Sequence, residues 1–164
     1  MRYGTRTTTK RRWGRQGRRP TCPIKLGYEW GYLYVALCPY QGDVFALYCS
    51  HLDMDCFQYF MHEFQSYLVA NQIEEKVLVI GDGATAHSQK VIPENMQWQR
   101  LPTACPELNP VERFFEELRK VIANRVFATK GEIENCLSYW IQEYQKQPET
   151  VINLTRFTWI NDAI

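Results

Sequence analysis

The chain has no run of eighteen apolar residues, so nothing in it reads as a membrane-spanning helix. Its N-terminal segment is basic but lacks the apolar stretch of a signal peptide. The six cysteines (Cys22, Cys38, Cys49, Cys56, Cys105 and Cys136) include no C-x-x-C pair. Without a secretory signal, such scattered thiols are expected to be reduced core residues of a cytoplasmic protein. Internal repeats and low-complexity linkers are also missing, so the 164 residues are expected to form one domain. An apolar fraction of 45% and an aromatic fraction of 14% exclude a disordered chain.

Acidic residues are absent from the first twenty positions, which carry eight basic side chains: Arg2, Arg6, Lys10, Arg11, Arg12, Arg15, Arg18 and Arg19. The remaining residues have a balance of −7, so the net charge of +1 conceals a basic arm (1–20) on an acidic body (21–164). That is the electrostatic footprint of a protein that binds phosphate backbones. Tyr3 and Trp13 within the arm supply rings able to stack on bases or sugars. The alternative is a solvated tail.

Tyr28 to Leu37 is rich in aromatic and β-branched residues and predicts a strand. Pro39–Gly42 predicts a turn, and Val44 to Cys49 the returning strand of a hairpin. Asp53 is placed to cap a helix whose apolar positions are Phe57, Phe60, Met61, Phe64 and Leu68. Val77–Ile80 is a short continuous apolar run, as expected of a strand buried on both faces, and another strand is expected near Met96–Leu101. Asn109 and Pro110 open a helix as N-cap and first residue, with an apolar face of Val111, Phe114, Phe115, Leu118, Val121 and Ile122. A last helix is expected from about Lys130 to Gln147, ended by Pro148. This order predicts an α/β protein, a mixed sheet with helices on both faces.

Two carboxylates stand out. Asp82 directly follows the apolar run Val77–Gly81, and carboxyl ends of strands are where sites form in open α/β sheets. Glu112 falls in the first turn of the helix opened by Asn109. The local alternatives are a helix-capping role for Asp82 and a capping box for Glu112. His87 is equally readable as a structural histidine, and Glu107, Glu116 and Glu117 as surface charges.

Taken together, the strand followed by Asp82-Gly-Ala-x-x-His87, and then Leu101-Pro-x-x-x-Pro106-Glu-Leu-Asn-Pro-Val-Glu112, resembles the catalytic core of D-D-E transposases. The resemblance is to the mariner superfamily in its bacterial insertion-sequence branch, and it runs almost end to end. Arg2-Tyr-Gly and Arg12-Trp-Gly-Arg-x-Gly-x-Arg-Pro20 resemble the basic segment after that family's first catalytic aspartate. Asn124-Arg-Val-Phe127 and Leu154-Thr-Arg-x-x-Trp159 resemble its C-terminal helices.

The resemblance implies an RNase H-like fold and DNA cleavage and strand transfer with two Mg²⁺ (or Mn²⁺) ions. Asp82 matches the family's second acid and Glu112 its third, with His87 and Asn109 adjacent to the site. The implied partners are transposon-end and target DNA, with a homodimer or a complementing N-terminal fragment, and no membrane. Arg2, Arg6, Lys10, Arg11, Arg12, Trp13, Arg15, Arg18 and Arg19 are the expected DNA contacts.

Three departures accompany it. Gly83 stands where many relatives have Asn, and Phe115 where Trp is common. The third concerns the first aspartate, which in the family ends the first strand. Met1 takes that place, so the strand and its acid are expected to be missing from a truncated fold, leaving apolar surface and unpaired backbone on its neighbours. Asp43, Asp53 and Asp55 are the substitutes available, each with a local explanation of its own. A helix-turn-helix module is not expected, since none fits before residue 20. The expectation is a transposase catalytic domain inactive by itself. The alternatives are a non-catalytic DNA-binding or transposase-interacting remnant and an RNase H-like nuclease.

Overall fold

The computed structural model describes residues 1–73, 75–83 and 91–162. Strands β1 (Arg2–Gly4), β2 (Trp30–Leu37) and β3 (Val44–Cys49) form an antiparallel sheet in that order. The β2–β3 register pairs Leu33 with Tyr48 and Tyr34 with Leu47, so the side-chain alternation of the two strands is in phase. Gly42 makes the connecting turn with φ of +76°, and a Cβ there would stand 2.4 Å from the Pro148 carbonyl oxygen. Both the backbone conformation and the close approach require glycine.

One face of this sheet carries Leu33, Val44 and Tyr3 and packs on helices α2 (Pro110–Ile122), α3 (Lys130–Gln145) and α4 (Pro148–Thr155). The periodicity of α2 buries Phe114, Phe115 and Leu118, as its apolar face predicts. α3 stops at Gln145, and Pro148 opens α4 rather than merely ending its predecessor, since a proline at the first turn has no N–H to lose. A short helix α5 (Thr158–Asp162) follows. The opposite face carries Tyr34 and Cys49 and packs on α1 (Met54–Ala70), which buries the five predicted residues Phe57, Phe60, Met61, Phe64 and Leu68. Asp53 caps α1 by accepting the Cys56 N–H at 2.9 Å.

β4 (Val77–Gly81) and β5 (Met96–Arg100) form a separate parallel pair. α1 covers the face bearing Val77, Val79, Met96 and Trp98, with the Phe57 and Trp98 rings edge to face at 5.8 Å. The other face is open: Leu78 is 54% and Ile80 40% exposed, beside exposed Gln97 and Gln99. The expectation of a strand buried on both sides therefore fails for β4. Its apolar run is continuous, but α2, α3 and α4 lie against the three-stranded sheet instead.

Among the described residues β4 pairs only with β5, and β2 only with β1 and β3. Between β2 and β4 lies a cleft of about 900 Å³, with Met1, Gly81 and Glu112 at one end and Leu37, Asp43 and Val77 at the other. Of the cysteines, all free, only Cys49 is buried, so the expectation of core thiols holds for one of six.

The basic segment is a loop with pinned limbs. The Thr5 and Thr7 N–H groups donate to the Glu29 and Lys25 carbonyls, each at 3.0 Å. Further out, the Asn124 side chain accepts from the Lys10 N–H and donates to the Lys10 carbonyl, both at 3.0 Å, and the Asn124 N–H donates to Thr8 at 2.8 Å. Asn124 has φ of 58°, a left-handed conformation asparagine tolerates, just beyond the end of α2. Residues 8–20 beyond these anchors are exposed, Trp13 fully so.

Candidate active site

Asp82 follows the last residue of β4, and Glu112 sits on the first turn of α2. The two line one cleft of about 270 Å³, together with Gly83, Asn109 and the 101–106 loop. The local geometry around Glu112 rules out the capping box. Asn109 caps α2 through its Oδ1, which accepts from the Val111 N–H at 3.3 Å, but its own N–H donates to the Pro106 carbonyl at 3.0 Å. The donor that a capping-box glutamate would take is thus already used. Glu112 Oε2 instead accepts from Arg119 Nη1 at 3.4 Å, two helical turns along the same face, and both side chains remain over a third exposed. In that setting the ion pair adds little stability and leaves the carboxylate accessible.

The backbone nitrogen of Met1 enters the same corner. It donates to the Leu33 carbonyl and is partly buried. Burial, and then the Arg119 charge, pull its pKa down from 8.0 to about 5, while the nearby Glu112 and Asp82 carboxylates oppose the shift.

Other predicted positions fall as follows. Asn109 borders the cleft, with its side-chain oxygen spent on the cap. His87 lies outside the described residues. Gly83 abuts the Arg100 guanidinium, which donates to the Gly83 carbonyl at 3.4 Å, so a larger residue there would have to displace a flexible side chain. Phe115 is buried, and the Arg119 guanidinium lies 5.8 Å from its ring centre. Arg2 stacks over Trp30 at 4.0 Å, while Arg6, Lys10, Arg11, Arg12, Trp13, Arg15, Arg18 and Arg19 are exposed on the loop. Asp53 is committed to its helix cap, and Asp43 stands at the far end of the large cleft. His51, Asp53 and Cys56 present ligand atoms within 4.8 Å of one another, and for Asp53 and Cys56 that proximity follows from the cap.

Sequence reasoning missed Arg119 and Arg100. The seven-residue spacing from Glu112 was the available signal for Arg119. For Arg100 it was the parallel register, which pairs that residue with Gly81.

Residues 1–134 match the family described as DDE superfamily endonuclease. The chain belongs to that family. It is also 25% identical over 136 residues to the uncharacterized protein y4pE/y4sA of Sinorhizobium fredii (strain NBRC 101917 / NGR234), covering 79% of this chain and 96% of that protein. Among solved structures it is similar to the Mos1 mariner paired end complex with Mn (TM-score 0.65, 16% identity, 95% of this chain and 52% of that one). A second similar structure is the Mos1 transposase paired-end complex with left transposon end (TM-score 0.63, 16% identity, 96% and 54%). At that identity the likeness establishes the fold, and the mixed, helix-flanked architecture is RNase H-like, as expected. The chain spans about half the length of those Mos1 chains. Among the described residues no helix is long and apolar enough to cross a membrane.

Membership of the family implies a divalent metal, and the donor set suits one. Asp82, just after β4, and Glu112, on α2, offer hard carboxylate oxygens around a small cleft, the ligand type preferred by Mg²⁺ and Mn²⁺.

Proposed function

We propose that this chain is the catalytic domain of a DNA transposase, in which Asp82 and Glu112 hold Mg²⁺ or Mn²⁺ and the basic loop holds transposon-end or target DNA. The observation that carries the reading is the convergence of the two carboxylates on one cleft, with Glu112 released from the capping role its position suggests. When bound, paired divalent ions activate an attacking oxygen and stabilise the leaving one in an in-line phosphoryl displacement. This chain's residues position: β4 fixes Asp82, α2 fixes Glu112, and Arg119 orients the Glu112 carboxylate. The loop arginines neutralise backbone phosphates and confer salt-dependent, largely sequence-independent affinity. A homodimer around paired DNA ends belongs to the same proposal.

Mn²⁺ titration followed by water-proton relaxation tests the site. Binding is expected, with Asp82→Ala and Glu112→Ala each weakening it at least tenfold; affinity unchanged in both variants would sink the assignment. The 164-residue chain is expected not to nick DNA with Mn²⁺, and nicking abolished by Asp82→Ala would overturn that inactivity.

A non-catalytic DNA-binding remnant is the second reading, favoured by one observation. Among the described residues lining the small cleft, Asp82 and Glu112 are the only acids. Salt-sensitive DNA binding without metal binding would select it.

A further inference from the structure

The turn leading from β3 into α1 gathers three different ligand types. His51, Asp53 and Cys56 hold an imidazole nitrogen, a carboxylate oxygen and a thiol sulfur within 4.8 Å of one another. The helix cap explains why Asp53 and Cys56 meet, but His51 lies outside α1 and takes no part in that cap. Its place is fixed from the sheet instead. His51 comes two positions after the end of β3, and its carbonyl accepts from the Tyr34 hydroxyl at 3.3 Å. Its Nδ1 stands 2.8 Å from the Ser50 Oγ, which restrains the ring. The cluster therefore joins one group set by the strand to two set by the start of the helix. None of the three lines the small cleft or the large one.

Capping does not exhaust the carboxylate. Asp53 Oδ1 accepts one N–H, and an ionised carboxylate has about four acceptor positions. His51 and Asp53 are exposed and Cys56 half-buried, so the group is open to an ion from solvent. The local charge favours a cation. No lysine or arginine occurs from 26 to 75, and Asp55 adds a second acid in the first turn of α1, offsetting the positive end of the helix dipole. Donor chemistry then selects the ion. Sulfur and nitrogen beside oxygen suit Zn²⁺, whereas Mg²⁺ takes oxygen ligands. Zinc bonds of about 2.0–2.3 Å set tetrahedral ligand atoms roughly 3.3–3.8 Å apart. From separations of at most 4.8 Å, closure takes about 1–1.5 Å of side-chain rotation.

We propose that His51, Asp53 and Cys56 form a Zn²⁺ site, with water in the fourth tetrahedral position, separate from the Asp82–Glu112 cleft and independent of its chemistry. Cys49 adjoins Cys56 but is buried on the sheet and stays outside the ligand set. The ion clips the end of β3 to the start of α1. Because α1 packs against both sheets, the clip stiffens the element on which their relative placement depends.

Co²⁺ is the probe, since it occupies tetrahedral zinc sites and reports a thiolate bond by charge-transfer absorption in the near ultraviolet. Titration of the whole chain, freed of metal by a chelator, is expected to give that band at one Co²⁺ per chain. Zn²⁺ should displace it, and millimolar Mg²⁺ should not. Cys56→Ser is expected to abolish the band, and His51→Ala to weaken Co²⁺ binding at least tenfold. Asp53→Asn keeps a good capping residue while removing the anionic ligand, so weaker binding with unchanged helical circular dichroism separates the ligand role from the cap. Cys49→Ala should retain the band. Zn²⁺ should raise the Tm of the wild-type chain and leave that of His51→Ala unchanged. No band, a band that survives Cys56→Ser, or wild-type affinity in His51→Ala or Asp53→Asn overturns the site. A band lost in Cys49→Ala overturns the three-residue ligand set.

Discussion

The two sheets share one helix and differ in nearly everything else. The three-stranded sheet is antiparallel and sandwiched between α1 and the α2–α4 layer. The parallel pair has α1 on one face and solvent on the other, so that Leu78 and Ile80 stand exposed where Leu33 and Phe114 are fully enclosed. Stability resides in the enclosed sheet, and the candidate chemistry at its boundary with the open pair. Glu112 stands on an element backed by the larger core, while Asp82 stands at the tip of the less supported pair. Their geometry is only as firm as the packing between the halves, and α1 is the element packed against both.

The largest effect is expected from Phe114→Ala, which opens a cavity where α2 meets the enclosed sheet. A loss of about 3–5 kcal/mol is expected, read from urea denaturation. Next comes the basic loop, built on the same half. Replacing Arg11, Arg12 and Arg15 with Ala should flatten the plot of log affinity against log salt by about 0.9 for each phosphate left without its arginine, with stability unchanged. A smaller effect concerns Cys49, at the interface with α1. Burial, followed by the neighbouring Cys56, pushes its thiol up from 9.0 to about 11. A raised folded pKa means that the unfolded chain ionises first, so stability present below about pH 9 should decline as pH rises towards 11. Cys49→Ala should shallow that decline in denaturation midpoints. The smallest effect is expected at Leu78→Ala, within about 0.5 kcal/mol of wild type because the side chain already meets water.

Much of this was legible in the residues. The alternation of Tyr32 to Leu37 sorts side chains between two real layers, and the Asn109–Pro110 start of α2 lies where N-cap and proline preferences put it. The Asp82–Glu112 convergence was legible only from the whole motif, since each residue has a plausible local use. What was not legible depends on partners distant in sequence. Nothing in Val77–Ile80 says that, among the described residues, no helix covers its second face. The Glu112–Arg119 pair, and the Asn109 N–H already taken by Pro106, emerge only once the turn before α2 has closed. The basic run, similarly, does not announce that its limbs are tied to Asn124 across more than a hundred residues.

That tie carries a metric consequence. Asn124 fastens the loop just past one end of α2, and Glu112 projects near the other. The ten helical steps from Glu112 to Ile122 form a rod about 15 Å long at 1.5 Å per residue. A nucleic-acid strand advancing about 3.4 Å per nucleotide covers that span in roughly four nucleotides. Under the transposase reading, α2 is then a ruler, and the offset between the gripped phosphate and the reacting one is counted in turns of helix.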